Sequence, residues 1–451
     1  MRTRSRAARI ALRGAAIAAA LFLWSACFVG RVLAQDEFQL EIRTGTLTRI
    51  PIHIESFLYE SGTSPIRFEL GETPEDLLER DLTYSSFFRV SRGPMALPGP
   101  GLQDPLLPAG VRSIASATIR LSWGRILLTG NLRDGTSGTR IFTKDYALGD
   151  TADRWAVHAF ADDIVLYMTG ERGVAQTRIA FVREHGTTRE IHLIDYDGVG
   201  EEQLTKLSTL VLSPDWAPGG DRLAFTSFGG GEAAVVGLGL RDGKYWRVSP
   251  GGGMSASASW SPDGKRIAFT RSMDGNSEIF IADSDGGSPA RLTFSPSIDT
   301  SPCFSPDGGQ IAFTSDRSGN PQVYVMDRGG GNVRRISFVG KQSDSPDWSP
   351  KGDRIAYVCL LDGVFDICTM RVDGSGVQRL TSNEGMHENP RWAADGRHLV
   401  YSKLQGGERR IHVMASDGSG KRVLTGGRGG QYNPAWSPAL SLQSVRGLGR
   451  P

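Results

Sequence analysis

Aromatic residues return every 44 positions along the C-terminal part of this chain, at Trp216, Trp260, Phe304, Trp348, Trp392 and Trp436. Apolar columns keep the same register: Ile179, Leu223, Ile267, Ile311, Ile355 and Leu399, then Phe181, Phe225, Phe269, Phe313, Tyr357 and Tyr401 two residues later. Ile191, Val235, Ile279, Val323, Ile367 and Ile411 form a third column, and Leu204-Thr205 through Leu424-Thr425 a fourth. Between the columns apolar and polar residues alternate, as in Ile267-Ala268-Phe269-Thr270, and turn formers such as Ser261-Pro262-Asp263-Gly264 punctuate them. Period-2 alternation bounded by Pro, Gly and Asp predicts four short strands per unit, and four strands in about 40–45 residues make a propeller blade. The register demands an aromatic strand near position 172, where Gly170-Glu171-Arg172-Gly173 stands instead; Trp436 supplies it from the far end. The expectation is a mainly β chain with a six-bladed β-propeller over residues 178–438, closed by the 432–438 strand, and a tail over 439–451. Closure of that kind covers an edge that would otherwise be unpaired.

Upstream the period is absent. Ile50–Ile54, Ile126–Leu128 and Ile141–Thr143 read as strands. Thr73-Pro74-Glu75-Asp76 followed by Leu77, Leu78 and Leu82 reads as a helix capped by Thr with Pro at its first position. Residues 150–169 place Ala156, Phe160, Ile164 and Met168 on one helical face before Gly170. A small α/β domain over 35–170, a linker over 171–177 and a Pro/Gly-rich loop over 94–108 are expected. Residues 1–14 carry five Arg and no acid, an uncharged run follows from Ala15 to Gly30, and Val32-Leu33-Ala34 precedes Gln35. That is the pattern of a secretory signal peptide over 1–34; the apolar run falls short of the roughly 20 residues that span a bilayer. Processing before Cys27 is a minor alternative.

Composition narrows the function. The 51 Lys+Arg against 49 Asp+Glu give no electrostatic basis for nucleic-acid binding, and four Cys are too few for a disulfide scaffold. Cys359 and Cys368 fall on consecutive strands of one blade, opposite or diagonal according to register, so a bridge between them is left open; Cys303 is expected to be a free, buried thiol. A propeller peptidase would need a hydrolase domain with a Gly-x-Ser-x-Gly elbow, which the sequence lacks. The seven His show no ligand spacing, and the Asp-x-Asp-Gly stretches at 195–198 and 283–286 lack the remaining ligands of a calcium loop and read as strand-closing turns. No catalytic residue, metal or cofactor is expected.

A propeller offers a central funnel. Three positions before each aromatic stand Ser213, Ser257, Ser301, Ser345, Asn389 and Asn433, and one step earlier Leu212, Ala256, Thr300, Asp344, Glu388 and Tyr432. Crowding at the axis explains the small inner ring as well as binding does. The varied outer ring suits a docking face for a protein or peptide, with Asp299, Asp344 and Glu388 giving it an acidic side that would steer a basic partner.

The run Asp162-Asp163-Ile164-Val165-Leu166-Tyr167-Met168-Thr169-Gly170 leading into Arg178-Ile179-Ala180-Phe181-Val182, with the blade segments Ile298-Asp299-Thr300-Ser301-Pro302 and Gln322-Val323-Tyr324-Val325-Met326-Asp327, resembles the TolB family of the Tol-Pal system. The resemblance covers nearly all of residues 35–438. It implies a non-enzymatic periplasmic adaptor whose propeller mouth holds Pal, a peptidoglycan-associated outer-membrane lipoprotein. Its mature N-terminal segment would engage the C-terminal domain of TolA, linking the inner-membrane Tol proteins to outer-membrane invagination at cell division and to outer-membrane integrity. The TolA segment maps onto Leu40, Glu41, Ile42, Arg43 and Gly45 through Pro51 and Ile52, with an ordinary first strand as the alternative. The family's Pal contacts, a His, an Ala and a Thr, fall by register on Met254, Ser257 and Thr300, so only the Thr is kept; Asp299, Asp344, Glu388 and Tyr432 complete the expected mouth. The competing reading is an exported propeller that binds or processes a small molecule or sugar in its funnel.

Overall fold

The computed structural model describes residues 49–440 except 61–62, 69–70, 95–109, 124, 148–153, 274 and 383. Ile52 and Ile54 alternate into one face of β1 (Ile50–Glu55), which lies parallel to both β3 (Phe88–Gly93) and β4 (Ser113–Ser122). The short β2 (Leu58–Tyr59) runs beside β4, and β5 (Arg125–Asp134) and β6 (Arg140–Ala147) extend the sheet antiparallel, in the order β3-β1-β4-β5-β6. Helix α1 (Pro74–Tyr84) buries Leu77, Leu78 and Leu82, and α2 (Trp155–Thr169) buries Ala156, Phe160 and Ile164 in the same core. Thr73 caps α1 as the sequence predicts: its hydroxyl accepts the Asp76 N–H at 3.2 Å, while the Asp76 carboxylate accepts the Thr73 N–H at 2.8 Å. Gly170 ends α2 at φ 74°. Gly130 on β5 is required by close packing, since a Cβ there would come within 2.6 Å of the Phe160 ring.

Six four-stranded antiparallel sheets follow. In the first blade the inner strand is the last among the described residues, Gln431–Trp436, paired antiparallel with Arg178–His185 so that Trp436 faces Ile179 and Ala435 faces Ala180. The expected closure is present. The inner strands of blades two to six are Val211–Trp216, Met254–Trp260, Asp299–Phe304, Ser343–Trp348 and Met386–Trp392.

The sequence columns meet through hydrogen bonds. In every blade the Ser or Thr of the fourth column (Thr205, Ser249, Thr293, Ser337, Thr381, Thr425) accepts the backbone N–H of the third-column residue at 2.8–3.0 Å. The short outer strand is thereby fastened to its neighbour where the ladder ends. Cys359 and Cys368 are joined by a disulfide, and the register is diagonal: Cys359 faces Asp366 and Cys368 faces Tyr357. Cys303 is free and buried.

The small domain packs on the propeller face where the inner strands end. Trp436 Nε1 donates to Thr177 at 2.8 Å, His398 Nε2 to the Tyr84 carbonyl at 2.8 Å, and Lys351 pairs with Glu171 at 2.9 Å. The opposite face, where the inner strands begin, is left uncovered by that domain.

Candidate functional site: the propeller mouth

Each inner strand skips register between the residue before its bulge and the second residue after it, for instance from Thr300↔Thr314 to Cys303↔Ala312, and the same irregularity recurs in all six blades. The bulge residue is Ser213, Ser257, Ser301, Ser345, Asn389 or Asn433, all with φ between 46° and 54°. A left-handed residue inside a strand produces a bulge, and the Pro that follows in five blades is tolerated only because the ladder is already broken there. The N–H groups of Ser257, Ser301 and Ser345 donate to the hydroxyls of Thr226, Thr270 and Thr314 on the preceding blade at 3.1–3.2 Å. The inner ring is therefore an architectural joint between blades.

One level deeper, Asp215, Ser259, Cys303, Asp347, Arg391 and Ala435 line the axis. Four of them accept the N–H of the next blade's aromatic: Asp215 from Trp260, Ser259 from Phe304, Cys303 from Trp348 and Asp347 from Trp392. Arg391 instead reaches Asp347 at 3.1 Å and Asp215 at 3.7 Å. Burial pushes the Asp215 carboxyl up to about 6 against the pull of Arg391 and the Trp260 N–H. Burial and the neighbouring Asp347 hold the Cys303 thiol well above its ordinary range, so it is not a thiolate nucleophile. The cavity between ring and guanidinium measures about 50 Å³. A drug-sized ligand needs roughly 300 Å³ or more. A wider cleft of about 730 Å³ opens near Asp307, Arg334, Trp348, Lys351 and Arg371, at the turns on the other face. Among the described residues no group of three or more His, Cys, Asp or Glu is placed to hold a metal ion.

Of the residues expected at the mouth, Met254 is 57% exposed at the start of its strand, and Ser257 is the bulge residue. Thr300 is half-buried. Asp299 lies wholly inside, both carboxylate oxygens taken by Arg317 at 3.0 and 2.7 Å, and so orders its own blade. Asp344 accepts from the Thr314 hydroxyl at 2.7 Å and from the Ser345 N–H at 2.6 Å. Glu388 is paired with Arg409. Tyr432 donates to Glu184 at 2.8 Å, with the Arg189 guanidinium 4.2 Å and that of Arg409 5.1 Å from its ring centre. The acidic side expected from the sequence is thus corrected: one carboxylate is buried, one is held by neutral donors and one is neutralised by arginine.

Apart from Met254, the apolar part of the mouth was not singled out in the sequence. Leu210, Met254, Met273, Phe294, Ile298 and Phe338 are all exposed, Phe294 by 76%. They stand on the loops that enter the inner strands and on the turn joining the two middle strands of a blade, which strand alternation places on this same face. Arg291 and Arg335 lie over the Phe294 and Phe338 rings at 4.7 and 5.0 Å. The mouth is divided into an apolar arc over blades two to five and a charged arc around Tyr432. Leu210, Phe294, Ile298 and Phe338 fall on connecting loops outside the four repeated columns, and only the aromatic rings of Phe294 and Phe338 in exposed turns could have marked them.

Pro51 and Ile52 belong to β1, hydrogen-bonded on both sides, and Ile52 is in the core. Leu40, Glu41, Ile42, Arg43 and Gly45 lie outside the described residues, as do residues 1–34 and 441–451.

A family model described as the TolB beta propeller domain matches residues 166–440. The chain belongs to the TolB propeller family. It is 34% identical over 228 residues to a protein TolB homolog of Chlorobium chlorochromatii, covering 49% of this chain and 51% of the relative. It is 30% identical over 222 residues to a Tol-Pal system protein TolB of Legionella pneumophila, covering 48% and 50%. The chain spans about half the length of the curated relatives it matches. The solved TolB of Acinetobacter baumannii superposes with a TM-score of 0.77 at 26% identity, over 89% of this chain and 99% of that one. The TolB likeness therefore extends in structure beyond the propeller to the small domain. No described helix is long and apolar enough to cross a membrane.

Proposed function

We propose that this chain is a non-catalytic adaptor of the Tol-Pal system, exported to the periplasm by cleavage near Ala34. It grips Pal at the propeller mouth and TolA through the segment upstream of β1, and so couples the inner-membrane Tol proteins to outer-membrane invagination at division. The observation that carries the reading is the apolar arc on the face that the small domain leaves uncovered: Met254, Phe294, Ile298 and Phe338 exposed together on one side of the mouth. Contiguous exposed apolar surface rimmed by polar groups marks protein–protein contact. The channel of about 50 Å³ beneath it speaks against the small-molecule reading.

Calorimetry with the soluble domain of Pal tests this. Phe294→Ser with Ile298→Ser is expected to weaken Pal binding by about tenfold or more, as loss of central apolar anchors does, with an unchanged melting temperature. Deletion of residues 35–48, which stops short of β1, is expected to abolish TolA binding and spare Pal. A mature protein that binds neither partner ends the reading.

A further inference from the structure

The β4–β5 hairpin runs on past the core it belongs to. Its last buried pair is Ile119 opposite Leu128; beyond them Arg120 faces Leu127, Leu121 faces Ile126, and Ser122 faces Arg125. Ile126, half-buried, still packs against that core, so the strands clear it only at Ser122 opposite Arg125, one further pair of about 3.4 Å before the turn. Trp123 at that tip is fully exposed, at 101% of its reference surface, and Leu121 is 56% exposed. Trp123 also adopts φ 52°, a conformation uncommon for so bulky a residue. From Ile119 to Asn131 the only charged residues are Arg120 and Arg125; the stretch has no carboxylate. Asp145 on β6 pairs with Arg120 at 2.9 Å, and Arg125 is exposed.

We infer that this tip seats on a phospholipid bilayer bearing anionic headgroups. Trp favours the boundary between headgroup and acyl chain, where its ring is in apolar surroundings and its N–H meets water or phosphate. An apolar element on a membrane surface sinks about 5–10 Å. At that depth Trp123 and Leu121 enter the boundary, and Arg125, beside the tip, meets phosphate oxygens. A protein surface as the occupant would need a concave partner for a single narrow projection, whereas a bilayer yields to it. Binding through one tip is weak and reversible, since stable anchoring takes two signals; it would add to, and is independent of, the contacts made at the propeller mouth on other residues.

Vesicle flotation of the exported form, residues 35–451, tests the inference with equimolar phosphatidylcholine and phosphatidylglycerol against pure phosphatidylcholine. The parent protein is expected to float with the anionic vesicles at low salt and less so in about 0.5 M salt, where charges are screened. Leu121→Ser with Trp123→Ser is expected to lower the partition coefficient about tenfold or more, given the apolar surface lost, with melting temperature and Pal affinity unchanged. Arg125→Glu is expected to remove the preference for anionic vesicles. Failure of the parent to float at millimolar lipid, or equal flotation of parent and double variant, overturns the inference.

Discussion

Arg391 occupies the axial position that the other blades fill with Asp215, Ser259, Cys303, Asp347 and Ala435. It is the single cation among them, and it joins carboxylates from the second and fifth blades across the channel. Its partners hold it in the charged form against burial. Replacing it with Met leaves two carboxylates in a site of low polarity, a loss of about 3 kcal/mol by the usual cost of breaking a buried pair. The loss depends on pH with a definite sign. The folded value of Asp215, about 6, lies above that of a free aspartate, so its contribution is complete below pH 4 and declines as pH rises through 6. Without Arg391 the folded value climbs further, and the fold can escape part of the cost by keeping a proton. Arg391→Met is therefore expected to melt only slightly below the parent at pH 5 and far below it at pH 8. Equal deficits at the two pH values would refute the axial clamp. None of this was legible in the sequence, because the column holding Arg391 does not repeat in kind and its partners lie 44 and 176 residues away; only closure of the ring brings them to one axis.

At the level of strands and sheets, legibility followed the period. Six copies of one pattern show which positions face inward, and the structure explains the columns as core residues plus the Ser/Thr bond that fastens each outer strand. The helix over Pro74–Tyr84 was legible from its cap and from Leu77, Leu78 and Leu82 behind it. The small domain offered no second copy to compare, so its sheet order, with β1 between β3 and β4, could not be read from residues 50–147. The disulfide was undecided for a related reason, since alternation fixes faces but not whether two Cys are opposite or diagonal. The register also locates the closing element. A chain ending at Gly430 lacks the strand that covers the edge of Arg178–His185 and the Trp436 that packs against the small domain. It is expected to lose cooperative melting and to associate through the open edge. A chain ending at Leu440, which keeps Gln431–Trp436, is expected to melt like the parent. Circular dichroism and size-exclusion chromatography of the two truncations separate these outcomes, and a cooperative, monomeric shorter chain would refute the role given to closure.

Over the whole molecule, the small domain and the propeller are joined through buried polar groups, which fixes how the two stand relative to each other. Asp81 on α1 accepts from His158 on α2 at 2.7 Å and from Tyr196 of the first blade at 2.6 Å. Asp197 binds Arg80 at 2.5 Å and also Arg154, with Glu72, Asp195 and Arg422 close by. Asp162 accepts the N–H groups of Ala175 and Gln176, both at 2.9 Å, and so latches the connection to the first propeller strand. The titrating members act mostly in one direction. Asp81 raises His158 above its ordinary range in spite of burial, and burial raises Asp162 to about 7 and also raises Asp195. Groups raised in the fold stabilise it at low pH and lose that contribution as pH climbs through their folded values. Asp197, lowered by His158, Arg154 and Arg80 despite burial, acts in the other direction and loses its contribution only near pH 4 and below. The joint should hence be firmest near pH 4, above which the raised carboxyls begin to lose their contribution, and loosen progressively toward pH 9. Asp81→Ala strips the acceptor from both His158 and Tyr196 and is expected to cost about 3 kcal/mol. The damage should be local: residues 171–177 become the first site of proteolysis while the propeller remains a resistant fragment. In the parent the same cleavage should be slower at pH 6 than at pH 9. In Asp81→Ala that difference should shrink, because His158 has lost the partner that raised it. If the variant instead unfolds as one unit, with no early cleavage in that segment at either pH, then the joint is inseparable from the cores it connects and the small domain and the propeller are coupled through packing alone.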